Sequence, residues 1–133
     1  MSLSQYLGKK VILYFYPKDN TPGCTKQACS FRDSYDDILD LGAVVMGISK
    51  DTLASHTKFQ EKHGLPFYLL SDKESDTAEK YGVWGEKKMC GRVTIGMKRT
   101  TFVVDEEGKI INIYPKVKTD THGGDIVEYL KSL

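Results

Sequence analysis

Apolar and polar positions fall into blocks along this chain, and each block predicts an element. Residues 11–16 read VILYFY, an almost wholly apolar run, as in a strand buried on both faces. From about Thr25 to Leu41 the apolar residues Ala28, Phe31, Tyr35, Ile38, Leu39 and Leu41 fall at helical spacing, and Gly42 stops the helix. Residues 43–48 (AVVMGI) form a second apolar strand. Asp51 or Thr52 then caps a helix that runs to about His63 and closes at Gly64 and Pro66. Residues 67–70 are a short apolar run, and residues 75–81 predict a short helix ended by Gly82. Residues 83–98 are rich in Gly and Lys, show no clear period, and read as a loop or irregular strand. Residues 100–104 and 109–114 flank Asp105-Glu-Glu-Gly108, a hairpin signal with glycine where a positive φ is needed. A last helix covers about residues 124–130.

Strands that alternate with helices argue for an α/β fold with helices on both faces of the sheet, and the closing hairpin makes the sheet mixed. This layout resembles the thioredoxin fold, extended by one insertion. No repeat, linker or low-complexity tract divides the chain. Residues 1–133 are therefore read as one domain, long enough for a moderate core.

The chemistry concentrates in Pro17-Lys-Asp-Asn-Thr21-Pro-Gly-Cys24, between the first strand and the first helix. Cys24 lies at or near a helix N-terminus, where unpaired N–H groups and the positive end of the helix dipole stabilise an anion. A thiol so placed ionises more readily and becomes a better nucleophile near neutral pH. Cys29 follows five residues on, and the pair suggests thiol redox chemistry.

The composition narrows this reading. The net charge is +1, with lysines mixed among acids, which gives no electrostatic case for nucleic acid. No run is apolar enough to span a membrane, and the N-terminus lacks the regions of a secretory signal. Three cysteines make an odd, sparse set, unlike a secreted disulfide scaffold, so a cytoplasmic location is expected. Cys24 and Cys29 have no nearby histidine in sequence and lack CxxC spacing, so no metal site is expected.

Pro17, Thr21 and Cys24 match the pattern PxxxTxxC, and the stretch YFYPKDNTPGCTKQACSFRD resembles the active site of peroxiredoxins of the bacterioferritin-comigratory protein (PrxQ) subfamily. The resemblance continues through KYGVWGEKKM and RTTFVVDEEGKI to the end of the chain. It implies a peroxidase that uses no haem, flavin or metal and reduces hydrogen peroxide and small organic hydroperoxides. Cys24 would be the peroxidatic cysteine, oxidised to a sulfenic acid. Thr21 would hydrogen-bond the peroxide, Pro17 would shield the site, and Arg99 would stabilise the thiolate and the polarised peroxide. The N–H groups of Gly23 and Cys24 could donate to the substrate.

In part of the subfamily the resolving cysteine stands where Cys29 does. It would form a Cys24–Cys29 disulfide, to be reduced by thioredoxin or a similar dithiol. Five residues along an ideal helix separate Cα atoms by roughly 8.5 Å, whereas a disulfide needs less than about 7 Å. The segment at about residues 21–30 must therefore unwind on oxidation. Cys90 stands where the subfamily has an aromatic residue and reads as a bystander, with alternative resolution or crosslinking left open. Family members begin with an APDF-like segment and a β-hairpin ahead of the point where this chain starts. The expected fold thus lacks that hairpin and exposes a sheet edge. A monomer is expected, with a weak dimer as the alternative.

Simpler readings stand beside these. A cysteine at a helix start can be a small buried residue, Pro22-Gly23 a plain turn, and Arg99 a surface ion-pair residue. Phe15, Trp84 and Phe102 read as core or pocket wall, Lys18 and Asp19 as solvated charges of the active-site loop, and His56 and His63 as surface residues. His122 reads as a helix cap. Two other functions compete with the peroxidase: a thioredoxin-type thiol–disulfide oxidoreductase, which normally carries CxxC, and a non-catalytic redox sensor that uses Cys24 as a switch.

Overall fold

The structure, a computed structural model, describes residues 8–17, 19, 21–72, 84–89, 92–97, 99–115 and 117–133, with backbone alone for 84–89 and 92–97. The elements are β1 (Lys10–Phe15), α1 (Pro22–Asp40), β2 (Ala43–Ser49), α2 (Leu53–His63), β3 (Tyr68–Ser71), β4 (Trp84–Met89), β5 (Arg92–Met97), β6 (Thr100–Val104), β7 (Ile110–Tyr114) and α3 (His122–Lys131). The main sheet has five strands in the order β3-β2-β1-β6-β7. β1, β2 and β3 run parallel through the crossovers α1 and α2, while β6 and β7 pair antiparallel. This mixed sheet is thioredoxin-like, as the strand and helix order predicts.

β1 sits at the centre and is buried on both sides, which is why its sequence is a continuous apolar run. Ile12, Tyr14 and Tyr16 face one cluster, which also takes in Phe31 of α1, Phe59 of α2, and Ile126, Val127 and Leu130 of α3. Val11, Leu13 and Phe15 face a second, with Met46, Ile48 and Phe102. All three described helices contribute to the first cluster. The expected helix at 75–81 lies outside the described residues. Phe31 is fully buried and stacks on Tyr14 at 4.8 Å, with its edge contacts to Phe67 and His122. Truncating such a ring to alanine costs about 3–5 kcal/mol.

Two boundaries rest on backbone chemistry. Thr52 caps α2, its hydroxyl accepting from Ser55 N–H at 3.1 Å, and Gly64 ends the helix in the left-handed region at φ 59°. α3 lies tightly on α1 at Gly123, where a Cβ would come 2.2 Å from the Ser30 carbonyl oxygen. At that crossing the Gly123 N–H donates to Ser30 Oγ at 2.8 Å. The turn between β6 and β7 is closed by Gly108 at φ 83°, as its sequence predicts.

One segment differs from expectation. Within the stretch read as loop or irregular strand, β4 and β5 pair antiparallel from Trp84↔Met97 to Met89↔Arg92 and form their own two-stranded sheet. Trp84-Gly-Glu-Lys-Lys-Met89 has no apolar face to announce a strand. The register comes from cross-strand pairing, which local sequence does not display. Among the described residues the main sheet ends at β3 and β7, and β7 leaves Ile110, Ile111 and Ile113 exposed.

Candidate active site

The site forms where β1 ends and α1 begins. Tyr16 and Pro17 leave the sheet, and Thr21 takes the extended conformation (φ −83°, ψ 152°) that an N-cap requires. Its side chain makes no capping bond to the helix. Pro22 occupies the first turn, where its missing N–H costs nothing and its fixed φ suits a helix. The first helical bond runs from Thr25 N–H to the Thr21 carbonyl at 2.8 Å. The Gly23 and Cys24 N–H groups precede it, so they point out of the helix end, where the dipole is positive. α1 begins before the expected Thr25, which places Cys24 inside its first turn.

The Cys24 side chain is buried, 1% exposed, and its sulfur lies under Arg99. Nη2 of Arg99 donates to Cys24 Sγ at 3.3 Å, and Nη1 donates to Gln27 Oε1 at 2.6 Å. Topology explains the meeting. β6 pairs antiparallel with β1 so that Thr100 stands opposite Phe15, and Arg99 therefore arrives beside the start of α1. Gly23 leaves room for the guanidinium, since a Cβ there would lie 3.1 Å from Nη2. The forked guanidinium serves the Cys24 sulfur and the Gln27 side-chain carbonyl at once. Among the expected site residues the structure thus joins Cys24 and Arg99 directly. Thr21 lies at the same helix end and Pro17 on the loop leading into it.

Three features of the site differ from or exceed the sequence reading. Gln27 is fully buried and orients Arg99, although nothing singled it out. Its signal is a polar side chain inside the inward stripe Cys24, Gln27, Ala28 and Phe31. Asp19 is not a solvated charge, and His56 is not a surface residue. Both are buried, with Asp19 Oδ2 2.7 Å from His56 Nδ1. The Tyr16 hydroxyl donates to Asp19 Oδ1 at 2.6 Å, Ser55 Oγ donates to Oδ2 at 2.8 Å, and the Asp19 N–H donates to Asp51 at 2.7 Å. Burial pushes the Asp19 pKa up, but hydrogen bonds from His56, Tyr16 and Ser55 outweigh it and leave it lowered. Burial pushes His56 down, and the hydrogen bond to and charge of Asp19 reverse this, so its pKa is raised. The two form an ion pair that pins the active-site loop to α2. Lys18 lies outside the described residues.

His122 is also corrected. It is the first residue of α3 rather than its cap, which is Thr121. Its ring is buried, with Nε2 at 2.9 Å from Thr101 Oγ1. Burial, aided by the charge of Arg99, pushes its pKa down to about 4, so it is neutral at pH 7. Phe15 and Phe102 are core, in edge contact at 5.7 Å. The Trp84 side chain and Cys90 lie outside what is described.

Cys29 is half-buried on the next turns of α1, on the side that faces α2. The helix between Cys24 and Cys29 is wound, and both thiols are free. His63 is half-buried, not a plain surface residue, and its Nδ1 lies 4.0 Å from Cys29 Sγ. Among the described residues no helix is long and apolar enough to cross a membrane, and no group of three or more His, Cys, Asp and Glu could hold a metal ion.

A thioredoxin-like sheet that presents one thiol at a helix start, beneath an arginine from a neighbouring strand, defines a class of thiol enzymes. Comparison with known proteins names the family. The AhpC/TSA family profile matches residues 1–113. A putative peroxiredoxin Bcp of Coxiella burnetii is 53% identical over 127 residues, which cover 96% of this chain and 84% of that protein. Peroxiredoxin Bcp of Bacillus subtilis is 47% identical over 133 residues, covering all of this chain and 85% of that one. The solved bacterioferritin comigratory protein of Xanthomonas campestris, studied for its alkyl peroxide reduction activity, superposes with a TM-score of 0.92 at 33% identity, over 99% of this chain and 84% of that one. The chain belongs to the AhpC/TSA family and, within it, to the Bcp peroxiredoxins, which are thiol-dependent peroxidases. The competing oxidoreductase and sensor readings are not favoured.

Proposed function

We propose that this enzyme reduces hydrogen peroxide and small organic hydroperoxides at Cys24, with Cys29 as the resolving thiol and a thioredoxin-like dithiol as reductant. The observation that carries the reading is the 3.3 Å contact from Arg99 Nη2 to Cys24 Sγ at the open N-terminus of α1. The Cys24 thiolate attacks one peroxide oxygen, the O–O bond breaks, and the other oxygen leaves as alkoxide or hydroxide and takes up a proton. Sulfur is oxidised to sulfenic acid. Arg99 and the Gly23 and Cys24 N–H groups face the charge that develops on the oxygens, in a site already assembled for it. Thr21 orients the peroxide, and Pro17 keeps the sulfur from bulk water. The Cys29 sulfur then displaces hydroxide from the sulfenic sulfur, and dithiol exchange restores both thiols. A reducing compartment such as the cytoplasm supplies that dithiol.

Peroxide consumption with thioredoxin and its reductase tests this reading. Cys24→Ser is expected to abolish it. Cys29→Ser is expected to allow one turnover per chain and then stop. Undiminished activity in Cys24→Ser would overturn the proposal.

A further inference from the structure

Resolution needs a thiolate at Cys29, yet the features that favour an anion at Cys24 do not extend to it. Cys29 lies past the first turn, where the helix dipole no longer acts strongly, and the Arg99 fork is already taken by Cys24 and Gln27. A free thiol is only a few per cent ionised at pH 7. Something else must take its proton if resolution is to be quick.

Facing it across the α1–α2 contact is His63, the last residue of α2. Its Nδ1 is the polar atom at 4.0 Å from Cys29 Sγ. The ring is held edge-on to Phe59 at 5.2 Å. Arg32 ties the same residue down from α1, with Nη1 donating to the His63 carbonyl at 2.8 Å. Nε2 is buried without a hydrogen-bond partner, so Nδ1 carries the ring's polar contact with the protein. Imidazole changes charge nearest neutral pH of all side chains and is the usual proton acceptor for a nucleophile. Arg32 adds a fixed cation on the same side, itself paired with Asp33 at 3.0 Å. The other charges beside His63 on its own helix, Glu61 and Lys62, are exposed and opposite in sign.

We propose that His63 is a catalytic residue of the resolving step, accepting the Cys29 proton at Nδ1 so that Cys29 enters the reaction as a thiolate. This rests on Cys29 being the resolving thiol. The step balances without an added oxidant. Cys29 S–H loses its proton to His63, and the thiolate attacks the Cys24 sulfenic sulfur once the intervening helix has unwound. The S–S bond forms as the S–O bond breaks, and the leaving hydroxide takes up a proton. The net change is thiol plus sulfenic acid to disulfide plus water. The proton transfer comes first, while the helix is wound and the pair is in contact.

The test separates the two half-reactions on the full chain. A single turnover is started with one equivalent of hydrogen peroxide. Sulfenic acid is trapped with a dimedone probe, and disulfide is followed by quenched mass spectrometry. His63→Phe keeps the ring packing and removes the nitrogens, and His63→Ala leaves a space that added imidazole can enter. Both are expected to oxidise Cys24 at the wild-type rate and to form disulfide about a hundredfold more slowly at pH 7. Added imidazole is expected to restore disulfide formation in His63→Ala, which a purely structural role would not allow. An unchanged or faster disulfide rate in His63→Phe overturns the proposal, the faster rate marking the contact as a latch on the wound helix. Cys29→Ser controls the underlying reading. If it still forms an intramolecular disulfide at the wild-type rate, Cys29 is not the resolving thiol, whatever His63 does.

Discussion

Cys24 and Cys29 lie five residues apart on one helix, in very different surroundings. The first is buried at a helix end, with a guanidinium at 3.3 Å and a loop behind it pinned by the Asp19–His56 ion pair. The second is half-buried in mid-helix, with one imidazole nitrogen at 4.0 Å from its sulfur. The difference separates two demands. Attack on a peroxide needs a nucleophile and charge stabilisers fixed before the substrate arrives. Disulfide formation needs the second sulfur to travel, because an intact helix keeps the two roughly 8.5 Å apart at Cα. On the roles proposed for the two thiols, strong contacts gather at the one that stays and are sparse at the one that moves.

The fixed half gives the largest expected effect. Arg99→Met removes the cation over Cys24 and leaves the buried Gln27 carbonyl without its donor. The rate of Cys24 oxidation by peroxide is expected to fall about 10²–10³-fold. Disulfide formation in molecules already oxidised should change far less, since Arg99 donates to Gln27 and Cys24. A fall of less than tenfold, measured by stopped flow, would show that Arg99 is a packing residue and break the comparison at its stronger side.

The loop anchor comes next. Asp19→Asn leaves His56 without its counter-charge in a buried setting, which is expected to cost about 3 kcal/mol of stability. The sign of the pH dependence follows from the two shifts. His56 has a raised pKa, so its contribution is full below its ordinary value of 6.5 and is lost as pH rises through the folded value. Asp19 has a lowered pKa, so its contribution is full above 3.8 and is lost as pH falls through the folded value. Denaturant titrations of both proteins should therefore differ most between pH 4 and 6.5. A difference that is flat with pH would mean that the pair is held by hydrogen bonds rather than by charge.

These residues also mark how far the sequence could be read. β1, β2, α1, α2 and the β6–β7 hairpin were legible because burial is written locally, in apolar runs, in a 3.6-residue period and in a turn glycine. The β4–β5 pair was not, because β4 (WGEKKM) has no apolar face and its register is set by pairing with β5. The placement of Cys24 at a helix start was legible locally, while the roles proposed for Thr21, Pro17, Arg99 and Cys29 rest on family resemblance. The burial of Asp19 and His56 is not legible in the sequence because their partnership spans 37 positions, and charge in a loop ordinarily means solvent. A local hint existed. His56 stands three residues before the buried Phe59 and so shares its inward face. His122 reads as a cap because a helix start is visible in the sequence, whereas its burial against Thr101 is not.

The smallest effect tests the mobile half. Lys26 lies between the two cysteines with its side chain exposed, so a change there alters the helix and little else. Glycine is about 0.8 kcal/mol less favourable than lysine within a helix. If the wound and unwound forms equilibrate before the sulfurs join, Lys26→Gly should raise the unwound population, and with it the disulfide rate, about fourfold. Cys24 oxidation should barely change, because the wound form still predominates when peroxide arrives. Measured side by side in one single-turnover experiment, the two rates should therefore move apart. An unchanged disulfide rate would mean that unwinding does not limit resolution. A matching fall in Cys24 oxidation would mean that the first turn depends on the turn after it, and that the two cysteines are not held as independently as their surroundings suggest.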